Sequence, residues 1–294
     1  MKTQFKSYFR AVCHLIGGVV MLISSSVQAQ NLFVDSSGNI YEFTLGGAQS
    51  TFASGLVNPY NLAFNSAGDL FENGGSGNIY EFTPSGVKST FASGLYGSYG
   101  LAFNSQGDLF QSDFGSDTIT EFTPGGVKST FASGVYDPTG LAFNSVGDLF
   151  VGDYYGNITE ITPGGTQSIF ASGLSGPYGM AFNSAGDLFV GDYSGNIYEF
   201  TPGGVRSTFA SGLSGPFGLA FNSAGDLFET DEFSGNIYEF TPDGARSTFA
   251  SGLNYPLGLA FQGETLPVPE PSALGLLAIS STALLVRHYR KLTA

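Results

Sequence analysis

Between Asn31 and Gln262 hydrophobic and polar residues alternate in short runs, and the 3.6-residue apolar spacing of a helix is missing. One stretch shows the pattern: GPYGMAFNSAGDLFVGDYSGNIYEFTPGGVRSTFASGL, beginning at Gly176. It holds four runs of strand-favouring residues, GMAF, DLFV, NIYEF and RSTFA, separated by turn chemistry. Asn183-Ser184-Ala185-Gly186 places Asn first and Gly fourth, as a type I turn prefers. Thr201-Pro202-Gly203-Gly204 has Pro then Gly at its centre, which predicts type II.

The unit recurs. Its phenylalanines Phe64, Phe103, Phe143, Phe182, Phe221 and Phe261 are spaced by 39 or 40 residues. Four antiparallel strands per unit predict a β-propeller blade, so the fold class is all-β with six blades over residues 30–264. The phase of the repeats predicts closure. Leu32-Phe33-Val34 is a second strand with no first strand before it, and Leu257–Phe261 is a first strand with nothing after it. Joined, they complete one blade and leave no long open edge.

The ends differ in composition. Lys2, Lys6 and Arg10 precede an apolar run and a small-residue site, which reads as a signal peptide over residues 1–29 cleaved between Ala29 and Gln30. Cys13, the single cysteine, lies inside it, so the mature chain is expected to lack disulfides and Cys-zinc sites. Residues 265–294 combine Pro269-Glu270-Pro271, an apolar segment over 273–286 and a basic cluster. Fourteen residues span about 21 Å as a helix, short of a bilayer core of about 30 Å. This tail resembles the PEP-CTERM sorting signal of exopolysaccharide-producing bacteria; a plain tail anchor is the alternative. The resemblance implies an exosortase and export machinery as partners. It implies a transient inner-membrane precursor and a destination at the cell surface or extracellular matrix.

The chain carries 24 acids against 10 Lys and Arg, and the body between the two ends is more acidic still. Such a body repels phosphate backbones, so no nucleic-acid partner is expected. With no tryptophan the WD40 class is excluded. The phrase GLAF-N-G-D-LFV-x-D…N-I-x-x-F-x-P-G-G is instead similar to NHL and SMP-30/lactonase-like propellers.

Candidate chemistry follows from comparing the six units. The NSAGD-type and TPGG-type turns share one end of the blades and hardly vary, whereas the opposite loops do, and variation marks a binding face. One ring there comprises Asp35, Asn73, Asp113, Asp153, Asp192 and Asp231, expected to serve turns, with Ca²⁺ binding as the alternative. The other is Tyr60, Tyr99, Thr139, Tyr178, Phe217 and Leu257, expected at the channel mouth, where the rings either stack on sugars or plug the channel. Both histidines, His14 and His288, lie in the end segments, and no catalytic residues are assigned. The reading is a non-catalytic binding or scaffold protein without a cofactor, its partner a polysaccharide or another surface protein. The alternative is a metal-dependent lactonase- or lyase-like enzyme. Ice binding would need flat arrays of Thr, whereas Thr44, Thr83, Thr123, Thr162, Thr201 and Thr241 are spread around a ring.

Overall fold

A computed structural model describes residues 30–263. The predicted signal peptide and PEP-CTERM tail lie outside the described residues. Six four-stranded antiparallel sheets make six blades, each ordered from an inner strand outward. Blade 5 illustrates the plan: Pro177–Phe182, Leu188–Asp192, Asn196–Phe200 and Arg206–Ser211. Blade 1 is assembled from both ends, with Pro256–Phe261 as the inner strand of Leu32–Ser36, Asn39–Phe43 and Gln49–Ser54. Leu32 pairs with Phe261, Phe33 with Ala260 and Val34 with Leu259, the closure that the repeat phase predicts.

Alternate residues of each second strand face the two neighbouring blades, which explains the all-buried LFV runs. Each blade interface carries one apolar cluster. At its centre a second-strand Phe meets two others edge-on. Phe33 lies 5.0 Å from Phe52 and 5.1 Å from Phe64, and Phe228 lies 5.1 Å from Phe249 and 5.0 Å from Phe261. Edge-to-face contacts add about 0.5–1.5 kcal/mol per pair beyond burial. The joint between blades 6 and 1 therefore packs like any other.

The inner strands converge because five of them carry glycine at the narrowest level. A Cβ on Gly100 or Gly218 would stand 2.5 Å from the carbonyl oxygen of Thr139 or Leu257 on the next blade. In blade 2 (inner strand Pro59–Phe64) the corresponding residue is Asn61.

One turn departs from expectation. In Thr201–Gly204 the positive φ falls on Gly204 (+78°), not on Gly203. The turn is therefore type I, with the amide of Gly204 donating to the carbonyl of Thr201 at 2.8 Å. Glycine after a type I turn lets the strand resume with the twist of the hairpin, which type II would not.

Candidate functional site

The second strands run toward the variable end, so their last residues and the following loops form that face. There the acid ring proves to be two sets in different registers. Asp113, Asp153, Asp192 and Asp231 each stand opposite the first residue of the inner strand: Ser98, Pro138, Pro177 and Pro216. In blades 1 and 2 that place belongs to Ser36, opposite Pro256, and Gly74, opposite Pro59. Asp35 and Asn73 are one residue earlier, and in a strand one residue reverses the side-chain direction. The cause in blade 1 is a shorter hairpin. Ser36 pairs with Asn39 across Ser37-Gly38 alone, whereas Asp192 and Asn196 flank three residues.

Within the first set the turn role holds for three. Asp153 accepts from the amide of Asn157, Asp192 from those of Ser194 and Ser175, and Asp231 from those of Ser234 and Ser214. These carboxylates are thus engaged in holding their own loops. Among the described residues no three His, Cys, Asp or Glu side chains gather as metal ligands.

Asp35 is fully buried with neither carboxylate oxygen partnered. It faces blade 2, where Glu72 is buried with one oxygen unpartnered. Burial, then its neighbour Glu72, holds the Asp35 carboxyl well above the ordinary carboxylate range. Burial pushes Glu72 up to about 7, partly countered by Lys88. Glu229 in blade 6 is likewise buried, unpartnered and raised. None of the buried glutamates is marked by the acid-ring motif. Their signal is subtler: the third residue of the second strand reads Val34, Glu72, Gln111, Val151, Val190 and Glu229.

The aromatic ring is largely where the sequence places it. A bowl of about 730 Å³ opens on the variable face and is lined by Tyr60, Tyr99, Tyr178, Phe217 and Leu257. Tyr60 stacks on Tyr99 (4.8 Å, 24°) and Tyr178 on Phe217 (5.1 Å, 14°). Thr139 is the exception. It is fully buried, its hydroxyl donating to the carbonyl of Pro177 at 2.6 Å. Over this short side chain Tyr99 and Tyr178 meet at 6.3 Å. The floor rings thus cover one another's faces and close the channel. Burial, then the Tyr60 phenol beside it, pushes Tyr99 up to about 12; Tyr178 is raised further, burial again leading. Both remain protonated donors at any ordinary pH.

The free ring faces are on the rim, a set the sequence argument misses. Tyr193 stands edge-on to Tyr178 at 5.6 Å, Phe233 extends the series at 5.7 Å, and Tyr255 lies across the bowl. All three are exposed. Glu232 is the one charged residue of the lining, beside the Tyr193 phenol. Burial raises its carboxyl, and the Tyr193 phenol partly offsets the rise. Tyr255 adopts φ +52°, where the equivalent residues of blades 3, 5 and 6 are Gly97, Gly176 and Gly215. A bulky residue in that conformation is strained, and such strain collects at functional sites.

A second cavity, about 900 Å³, is the channel itself, opening on the uniform face. Its walls repeat the Leu-Ala-Phe of the inner strands, as in Leu62-Ala63-Phe64 and Leu101-Ala102-Phe103, and its rim the Asn-Ser turns. Gln30 and Gly263 lie at this mouth.

These features define a six-bladed β-propeller with a single diversified, aromatic mouth. No protein-family model matches the chain, and no curated protein matches it. Its likeness is to solved structures. A chain of the nidogen/laminin complex is 20% identical with a TM-score of 0.73, covering 80% of this chain and all of that one. The virginiamycin B lyase of Staphylococcus aureus is 18% identical (TM-score 0.62; 82% and 92% covered). A putative gluconolactonase is 16% identical (TM-score 0.62; 70% and 82% covered).

Proposed function

We propose that this chain is an exported, non-catalytic binding module, carried to the cell surface or matrix by its end signals, that holds polysaccharide at the aromatic bowl. The observation that supports this most is the rim: exposed Tyr193 and Tyr255 face a cavity of sugar size, and Tyr255 keeps a strained backbone there. Aromatic faces suit the apolar faces of sugar rings, and phenol hydroxyls donate to their oxygens. A glycan array probed with residues 30–266, with and without Ca²⁺, tests the reading. Binding that survives EDTA and disappears in Tyr193→Ala supports it; a blank array overturns it. For the sorting step, Glu270→Ala should leave a membrane-held precursor in an exosortase-positive host. Unchanged size and location would indicate a plain anchor.

A second reading, a lactonase- or lyase-like enzyme, draws on the likeness in fold to the lyase and the putative gluconolactonase. A histidine-to-alanine form of the S. aureus lyase is catalytically inactive. The described residues of this chain include no histidine. Lactone turnover restored by a divalent metal would reverse the order of the two readings.

A further inference from the structure

The lining of the bowl is uneven in charge. Around it are four tyrosines and a phenylalanine, together with Tyr255, and one ionisable acid, Glu232. Nothing in the fold neutralises that acid. The four Lys and Arg of the described residues, Lys88, Lys128, Arg206 and Arg246, all begin outer strands beside the uniform turns at the other end. Three of them are committed to tyrosine rings of the neighbouring strand: Lys88 over Tyr80 at 3.6 Å, Arg206 over Tyr198 and Arg246 over Tyr238, both at 5.0 Å. The lining group that partly offsets the raised Glu232 carboxyl is the neutral phenol of Tyr193.

Aromatic faces carry negative quadrupoles, and a carboxylate among them makes a site for a cation with an apolar body. Neutral sugars need only the rings. An uncompensated acid at the rim is a desolvation cost that a neutral ligand does not repay, whereas an ammonium does. The strongly acidic body reinforces the preference at a distance and disfavours uronate or sulfated chains.

We infer that the bowl selects polysaccharide bearing free amino groups, with the ammonium of an amino-sugar unit against Glu232 and its ring over Tyr193 and Tyr255. This rests on the glycan reading of the bowl. Tyr193 then offers its face to the sugar beside that carboxylate. Glu232 supplies the discrimination and the rings supply the affinity common to all sugars.

Calorimetric titration of the full body at physiological salt tests this with three probes: deacetylated chito-hexaose, its fully N-acetylated counterpart and cello-hexaose. The deacetylated probe should bind at least tenfold more tightly than either neutral one. Glu232→Gln should abolish that preference while leaving the neutral probes and the melting temperature unchanged. Tyr193→Ala should weaken all three. Equal affinity for acetylated and deacetylated probes, or a preference that survives Glu232→Gln, overturns the inference and leaves the glycan site standing. Binding of the deacetylated probe that is indifferent to Tyr193→Ala also overturns it, because the acidic body alone would then explain the attraction. Failure of all three probes overturns the glycan reading itself.

Discussion

The two ends of the propeller are built from the same repeats and yet satisfy their polar groups very differently. At the uniform end the side-chain amide of Asn65 donates to Asp69 at 3.0 Å, and the same bond recurs at Asn104, Asn144, Asn183 and Asn222. The turns that open on Thr44, Thr83, Thr123, Thr162, Thr201 and Thr241 close with the same 2.8 Å bond in every blade. Among the described residues the buried side-chain atoms without partners lie along the second strands or at the start of an inner strand, and none in the uniform turns: those of Asp35, Glu72, Asn73, Ser98, Gln111, Asp113 and Glu229. Native folds pair buried polar groups almost everywhere, because an unpaired one costs about 1–3 kcal/mol. The uniform turns carry no such group, whereas the second strands that lead to the variable face do. The difference teaches that the polar positions that vary between second strands include the ones the fold leaves unpaired.

The largest test removes the joint on which both ends depend. Deleting Leu257–Gln262 strips the inner strand from blade 1 and exposes Leu32–Ser36. Cooperative melting should vanish in calorimetry, and a parent-like transition would mean that the ring does not depend on that strand. Next, the buried acids should make stability fall with pH. The fold favours neutral Asp35 and Glu72, so their contribution is complete below about pH 4.5, Glu72's ordinary value, and is lost as pH rises through about 7. Denaturation at about pH 5 and pH 8 should differ by up to about 3 kcal/mol from Glu72. Glu72→Gln should flatten that slope; an unchanged slope would place its origin elsewhere.

A smaller effect separates floor from rim. Tyr99→Ala should cost about 2–3 kcal/mol of stability by opening a void, whereas Tyr193→Ala should leave the melting temperature nearly unchanged and affect binding. Equal melting losses for both would erase the distinction. Smallest of all, Tyr255→Gly should relieve the left-handed backbone and raise stability by about 0.5–1 kcal/mol in chemical denaturation while weakening binding. A loss of stability would show that the ring's packing outweighs the strain.

Strand positions, the number of blades and the closing partner strand were all legible, because a period of 39 or 40 residues repeats every local signal six times. What resisted reading was whatever breaks that period. Counting back from Gly38-Asn39 aligns Asp35 with Asp153, yet the two-residue hairpin shifts the true equivalent to Ser36. Counting forward from Leu32-Phe33 would have avoided the error. The Tyr60, Tyr99 and Tyr178 positions followed from the repeat, but their mutual stacking did not, since it depends on how closely the glycine-lined strands converge. Thr139 looked equivalent to its aromatic neighbours, and only its length places it beneath them. Glu232 and Tyr193 sit in loops of different length, where no alignment of units predicts which side chains meet.

The joint in blade 1 also sets the timing of folding. A chain emerging from its amino end presents Leu32–Ser36 almost at once, but the partner of that strand is nearly the last part of the body to appear. Until Phe261 arrives, blades 1 and 6 lack their shared interface, and the circle cannot lock. Early blades can form hairpins locally, yet the cooperative product waits for synthesis to finish. A structure whose first strand is completed only by its final one comes with its own delay, which would suit the export proposed above.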